Sequence, residues 1–425
     1  MLISFSVQNF RSIRDLQTFS MEELRADEHL KESNTFKAGN HRLLKSAAIY
    51  GPNASGKSNL LNALGWMQHF VFNSSIRGQV GAKIPYTPFR LSTVTENAPS
   101  HFEVEFFAFG FEYRYGFEVI AEKVASEWLF RKLPDASKPA RLFTREDDKI
   151  DCSTEYFKEG RGLEERTRPN ALFLSVCAQF NGAEAGKVMA WFGNLVLTSG
   201  LQDQYMNFTT KCLTDPKQQA PLATFIRSAD LNISNLRAEM EKYEESDLAG
   251  VPEDLKRHIL ATQYKRNAIK TLHAKRDENG AVVGSVEFDL SKDESNGTQK
   301  LVALAGPVVS SLANGVVLVI DEVDARLHPL LTQALFDRFH SAENKKNAQL
   351  ICASHDITLL EPERFRRDQI WFCEKDEKEA TELYSLAEFD PQDVRATTKF
   401  SRQYLKGLFG AVPKLAQFGE DLSNG

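Results

Sequence analysis

GPNASGKS, residues 51–58, decides how this 425-residue chain is read. It satisfies G-x-x-x-x-G-K-[ST] in full, and both flanks are those the motif needs. The apolar run Ala47 to Tyr50 enters it as a strand, and Leu60, Leu64, Met67 and Val71 leave it at helical spacing. Strand, glycine loop and helix together let backbone N–H groups close around phosphate oxygens at a positively polarised helix start. Gly51, Pro52, Asn53, Ala54, Ser55, Gly56, Lys57, Ser58 and Asn59 are therefore the expected ATP-binding residues. Lys57 serves the β and γ phosphates, and Ser58 serves Mg2+.

A second segment completes this chemistry. VVLVIDE, residues 316–322, is a continuous apolar run ending in two acids, as expected for a parallel strand buried on both faces that delivers carboxylates to the sheet edge. Asp321 is the candidate magnesium residue, and Glu322 is placed to polarise an attacking water. A helix marked by Leu301, Leu304, Ala305, Val308 and Leu312 precedes the strand and stops at Gly315. A helix with Leu331, Leu335 and Phe339 follows, leading to the strand QLICA and then to His355. His328 sits at a helix start and reads as structural.

Elsewhere the pattern is β-rich. HFEVEFFAF (101–109) and FEYRYGFEVI (111–120) are separated by Gly110 as in a tight hairpin, and Leu2 to Val7 reads as a strand. Residues 130–220 carry one helical candidate, 172–180. A short helix is expected around Leu222, Phe225, Ile226 and Ala229. Pro252 opens a longer one; over 252–276 it would span roughly 37 Å. That stretch holds Lys256, Arg257, Lys265, Arg266, Lys270, Lys275 and Arg276 against Glu253 and Asp254. It is the candidate nucleic-acid contact, with a solvated helix face as the plainer reading.

Composition sets the boundaries. The charge of −6 leaves no global attraction to phosphate backbones, so any such contact has to be a local patch. No run approaches the length of a membrane span, and a cytoplasmic protein is expected. The five cysteines form no C-x-x-C pair, which argues against zinc and disulfides.

ESNGTQK, residues 294–300, resembles the signature motif of ABC-type ATPases in the S-x-G-[TS]-x-K form of chromosome-maintenance and repair enzymes. That resemblance implies that Ser295 and Gly297 contact the γ-phosphate of ATP held by the opposite protomer. It also implies that Asp324 lies in a D-loop and that His355 is the switch histidine. NFRSI near the start, PFRL at 88–91, VIDEVDARLHP, ICASHD, WFCEKD and YLKGLFGAVP at 404–413 are similar to the prokaryotic ATPase family linked to abortive infection and phage resistance. Its members are often encoded beside a separate effector. No Q-loop glutamine stands out, Gln79 being the nearest candidate.

The resulting expectation is an α/β ABC-type ATPase head, a mixed or parallel P-loop sheet with an antiparallel β subdomain, carrying an inserted and mainly helical lobe. Its expected segments are 1–120, 121–285 and 286–425. Function follows as ATP hydrolysis with Mg2+ between copies of the chain in a homodimer or higher oligomer, controlling a separate nuclease or toxin in anti-phage defence. A RecF- or SMC-like ATPase that clamps DNA directly is the alternative.

Overall fold

Two sheets share one hydrophobic core in the larger of two compact units, which comprises Met1–Leu197, Gly315–Val323 and Gln333–Gly425. The structure, a computed structural model, describes residues 1–25, 29–200, 205–229, 232–248, 250–390, 394 and 399–413.

The first sheet is antiparallel throughout. It is built from β1 (Leu2–Gln8), β2 (Gln17–Ser20), β6 (Ser100–Ala108), β7 (Phe111–Val119), β8 (Val124–Lys132), β9 (Ala140–Glu146) and β10 (Lys149–Cys152), in the order β10-β9-β8-β7-β6-β1-β2. The expected hairpin is its centre. Ala108 pairs with Phe111, and the two loop residues Phe109 and Gly110 both have positive φ, at 54° and 82°, the backbone of a two-residue turn matched to strand twist. A small hairpin, β3 (Thr35–Ala38) and β4 (His41–Leu44), follows the one-turn helix α1 (Lys31–Asn34).

The second sheet carries the motifs. Its strands are β5 (Ser46–Tyr50), β11 (Leu195–Ser199), β15 (Val317–Asp321), β16 (Gln349–Ala353), β17 (Ile370–Lys375) and β18 (Thr381–Ser385), ordered β11-β15-β16-β5-β17-β18. β15, β16, β5 and β17 run parallel to their neighbours in that row, and β18 returns antiparallel to β17. The strand entering the P-loop and the strand ending in Asp321 are thus not adjacent, because β16 lies between them. Helix α2 (Lys57–Arg77) contacts β1 and β6 of the first sheet and β15 of the second. Its buried Leu60, Leu64, Met67 and Val71 recur every three or four residues, each burial contributing about 1.5–3 kcal/mol. Helices α3 (Phe173–Gln179) and α4 (Ala183–Gly193) extend the same core.

The smaller unit comprises Thr198–Asn314 and Asp324–Thr332. It mixes helices with a sheet. Beside α5 (Met206–Thr214), α6 (Pro216–Arg227), α7 (Glu253–Ala261) and α8 (Asn296–Asn314) stands a three-stranded antiparallel sheet, β12 (Ile233–Lys242), β13 (Lys265–Arg276) and β14 (Val282–Asp289), with β13 central. The compact units divide after 197 and 314, whereas sequence patterns suggest 120 and 285, because β8 to β10 continue the hairpin's sheet and α3 and α4 share its core.

Within this unit α8 tolerates an internal proline for a visible reason. Pro307 has no N–H for the carbonyl of Ala303, and the Thr209 hydroxyl of α5 donates to that carbonyl instead, at 2.9 Å. The long helix expected over 252–276 does not form. α7 ends at Ala261, Gln263 turns the chain with φ 51°, and β13 begins at Lys265. No side chain of α7 is buried, while Ala268, Ile269 and Thr271 of β13 are, so burial favoured the strand. The last helices are α9 (Pro329–His340), whose start His328 Nδ1 caps by accepting from Leu330 N, and α10 (Phe400–Leu405).

Candidate functional site

The P-loop is a cradle that side chains could not occupy. A Cβ on Gly51, whose φ is +152°, would come within 2.8 Å of Ser55 Oγ and still closer to the carbonyl of Cys373. A Cβ on Gly56, φ +110°, would strike Thr381. Ala54 also takes positive φ, at 62°, so the loop keeps its curvature at some backbone cost. Lys57 opens α2, and its buried ammonium donates to the carbonyls of Gly51 at 2.7 Å and Pro52 at 3.1 Å, spanning the loop. Ser58 and Asn59 follow in the first turn.

A chain of hydrogen bonds from distant parts of the sequence holds the loop from behind. Asn59 Nδ2 donates to Ser12 Oγ at 2.7 Å, Ser12 Oγ lies 2.8 Å from Thr381 Oγ1, and Thr381 Oγ1 donates to the Ser55 carbonyl at 2.9 Å. The backbone repeats the link, Thr381 N donating to the Ser12 carbonyl at 2.8 Å. NFRSI thereby acquires a structural meaning. Its Asn9 also ties down the PFRL segment, accepting from Phe89 N and donating to the carbonyls of Thr95, Ala98 and Pro99. Sequence reading missed Ser12 and Thr381. The NFRSI motif was the available signal for Ser12, and Thr381 had none.

Asp321, Glu322 and His355 stand at the same end of the sheet. Glu322 leaves β15 in the left-handed region, φ 51°, where a non-glycine residue is uncommon and often functional. Residues 53–59 share with Glu322 and His355 a cavity of about 220 Å³. A second cavity of about 810 Å³ also meets Asn53, Ser55 and His355 and is walled by Glu374 to Asp376 and by Tyr404, Val412 and Pro413. His355 is exposed and lines both.

ATP and Mg2+ fit this donor set. Ser55 Oγ and Asp321 Oδ1 are buried without a hydrogen-bond partner, a condition that costs about 1–3 kcal/mol per group and that a ligand's polar atoms would relieve. A hydroxyl and carboxylates are also the hard oxygen donors that magnesium takes.

In the smaller unit the signature segment is a helix start. Ser295 caps α8: its Oγ accepts from Thr298 N at 3.2 Å and lies 2.9 Å from Thr298 Oγ1. Glu294 fastens the segment to β13, its Oε1 accepting from Thr271 Oγ1 at 2.5 Å and facing His273 Nε2 at 2.7 Å, while buried Lys300 donates to the Ser199 carbonyl at 2.9 Å. At Gly297 a Cβ would lie 3.1 Å from the Arg326 carbonyl, in the turn that follows Asp324. Such an N-terminus is polarised to face an anion.

Two sequence expectations are corrected, the continuous helix over 252–276 and the place of Gln79. The lysines and arginines of 252–276 are split between α7 and β13, and four of the seven have acidic partners within the unit. Lys256 pairs with Glu245 and Glu253, Arg257 with Asp254, Arg266 with Glu241, Asp247 and Asp289, and Lys270 with Glu239, Glu241 and Asp289. No continuous cationic helix face exists there. Gln79 lies just past the end of α2, whose start is the P-loop, and a 21-residue helix is about 31 Å long. It cannot act at the phosphates.

Residues 46–361, well over half of the chain, match the family model described as "AAA domain, putative AbiEii toxin, Type IV TA system". No curated protein matches the chain. Among solved structures, the SMC head domain from Thermotoga maritima is 16% identical over 90% of this chain and 98% of its own, with a TM-score of 0.41. A structure of the SmcHead bound to the C-winged helix domain of ScpA is 13% identical over 92% of this chain and 99% of its own, with a TM-score of 0.46. Among the described residues no helix is long and apolar enough to cross a membrane.

Proposed function

Because the chain belongs to the family of AAA domains described as putative AbiEii toxins of type IV toxin–antitoxin systems, we propose that it is an ABC-type ATP-hydrolysing switch in anti-phage defence. Two copies hold ATP between them, and a separately encoded nuclease or toxin is under their control. One observation carries the reading. Lys57, Glu322 and His355, far apart in sequence, line a single small cavity over the P-loop.

The roles follow from chemistry. Backbone N–H groups of 53–59 and the Lys57 ammonium offset phosphate charge where hydrolysis concentrates it. Glu322 accepts a proton from the attacking water, and His355 donates to the γ-phosphate. Ser58 and Asp321 would hold Mg2+, which would supply further charge neutralisation on the phosphates. Ser295 and Gly297 of one copy, with Asp324 nearby in the chain, complete the site of the other. The abortive-infection reading draws on the family description and on the motifs shared along the chain. A direct DNA clamp draws no support from a continuous cationic helix over 252–276, because that helix does not form and four of the seven lysines and arginines face acidic partners.

Complementation tests the shared site. Ser295→Arg leaves ATP binding by the isolated subunit nearly intact but blocks closure and hydrolysis, and Lys57→Ala is inactive. Mixing the two variants restores part of the turnover, because a mixed dimer holds one site with both residues intact. Hydrolysis by Ser295→Arg at the wild-type rate, independent of protein concentration, refutes the reading.

A further inference from the structure

The segment 404–413 walls the larger cavity but has no part in the chemistry above. It folds as a tight loop after α10, with positive φ at Gly407, Gly410 and Ala411. Three side chains clamp it: Tyr404 donates through its hydroxyl to the Ala411 carbonyl at 2.8 Å, Glu374 Oε2 accepts from Ala411 N at 2.8 Å, and Tyr384 donates to the Phe409 carbonyl at 2.8 Å. Phe409 is buried against Phe372 and Phe389, with ring centroids 5.9 and 5.4 Å away. The loop is therefore an anchored part of the sheet's end.

Its contact with the site runs through aromatic rings. Tyr404 stacks on Phe372 of β17, centroids 5.6 Å apart and planes 17° from parallel, and meets Tyr50 edge-on at 6.1 Å. Phe372 is also the β-ladder partner of Tyr50. Tyr50 is the residue before Gly51, and its hydroxyl donates to the carbonyl of Asp356 at 3.2 Å. That carbonyl belongs to the loop presenting His355, which is stitched down at its other end by Ser354 N donating to the Ile49 carbonyl at 3.0 Å. Within the loop Asp356 N donates to Ser354 Oγ at 2.9 Å. His355 is thus bracketed by two bonds to consecutive residues of β5, and one of these bonds depends on a ring that Tyr404 packs.

We propose that Tyr404 is a positioning residue for ATP turnover: packing on Tyr50, it fixes the loop 354–356 and so lets the segment 404–413 set the reach of His355 toward the γ-phosphate. Edge-to-face and stacked ring pairs favour particular orientations, which is what a hydroxyl held to one carbonyl needs. The inference rests on the hydrolysis reading, with His355 as the residue that senses phosphate.

The test compares steady-state turnover with binding of a non-hydrolysable ATP analogue in the full chain. Tyr404→Ala lowers kcat about tenfold or more while analogue affinity stays within about threefold, since the P-loop itself is untouched. Tyr404→Phe, which keeps the ring, restores at least about half of the turnover. In a His355→Ala background, Tyr404→Ala adds no further loss, because the two act in one pathway. Equal loss in both backgrounds, or weakened analogue binding with kcat unchanged, overturns the proposal. Should Tyr404→Ala fail to fold in thermal melting, Tyr50→Phe removes a single hydroxyl and lowers kcat about threefold or more at unchanged affinity; an unchanged kcat overturns the proposal equally. Wild-type turnover by His355→Ala, or no hydrolysis by the parent chain, instead defeats the underlying ATPase reading.

Discussion

The P-loop cradle and strand β13 are both rich in groups able to hold anions, and the fold treats them in opposite ways. In the cradle, Lys57 turns to carbonyls of its own loop, while Ser55 Oγ and Asp321 Oδ1 are buried with no partner, so polar capacity remains for a ligand. At Arg266 and Lys270 of β13 the capacity is consumed. Burial opposes the charge on Lys270, but hydrogen bonds to Glu241 and Asp289 raise its affinity for a proton well above the ordinary value. Burial likewise opposes ionisation of Asp289, yet bonds from Ser291 and Lys270 hold its pKa at about 2. A count of lysines and arginines therefore says little about anion binding until their counter-charges are placed.

The sharpest way to break this contrast is at the cradle. Lys57→Ala is expected to reduce turnover by about a thousandfold or more and to abolish tight nucleotide binding. Glu322→Gln slows hydrolysis by about a hundredfold or more but retains ATP, because only activation of water is lost. Calorimetric titration of both variants separates the two roles, and equal loss of affinity in the two would remove Glu322 from catalysis.

A smaller effect is expected behind the loop. Thr381→Val keeps the shape but deletes the hydroxyl that joins Ser12 to the Ser55 carbonyl. Nucleotide affinity falls about tenfold as the loop loses its tether, measurable with a fluorescent ATP analogue. Affinity equal to wild type would show that the backbone bond between Thr381 and Ser12 suffices.

In the second region the expected damage is to stability. Lys270→Glu adds a carboxylate beside Glu239, Glu241 and Asp289 and should destabilise the smaller unit by about 1–2 kcal/mol in urea unfolding. Loss of nucleic-acid binding without loss of stability would instead restore the cationic patch.

Acid and base act on two different histidines of the larger unit. Burial lowers the pKa of His340 to about 3, with Lys45 and Arg364 adding to the effect, and its ring meets Ser46 Oγ at 2.7 Å. The unfolded chain therefore binds the extra proton first, and stability falls as pH drops from 6.5 toward 3, by up to about 1.4 kcal/mol per pH unit. His41 behaves inversely. Held at about 9 by its bond to Glu22 and then by Glu112, it contributes fully below 6.5 and loses that contribution as pH rises through 9. Thermal melting against pH should peak near 6.5, and His340→Gln should flatten only the acid limb. A slope unchanged in that variant would assign the acid limb to carboxylates.

Local backbone chemistry can be read directly from the residues. The P-loop, the apolar strand ending in Asp321 and the hairpin at Gly110 are legible because periodicity, glycine placement and turn residues act over a few positions. Over 252–276 the same reading held only for the first turns: Leu255 and Ile259 lie on α7, but the chain turns at Gln263, and Ile269 and Thr271 are buried in β13 where a continued helix was expected. Gln79 failed for a related reason: sequence gives order along the chain but not the helix length that removes a residue from the site. The folded chain was needed to show that β16 separates β5 from β15, that Thr381 supports the loop beginning at Gly51, and that Tyr404 meets Tyr50. These contacts join residues hundreds of positions apart, and their stability comes from strand order and shared burial, which no local window of sequence contains.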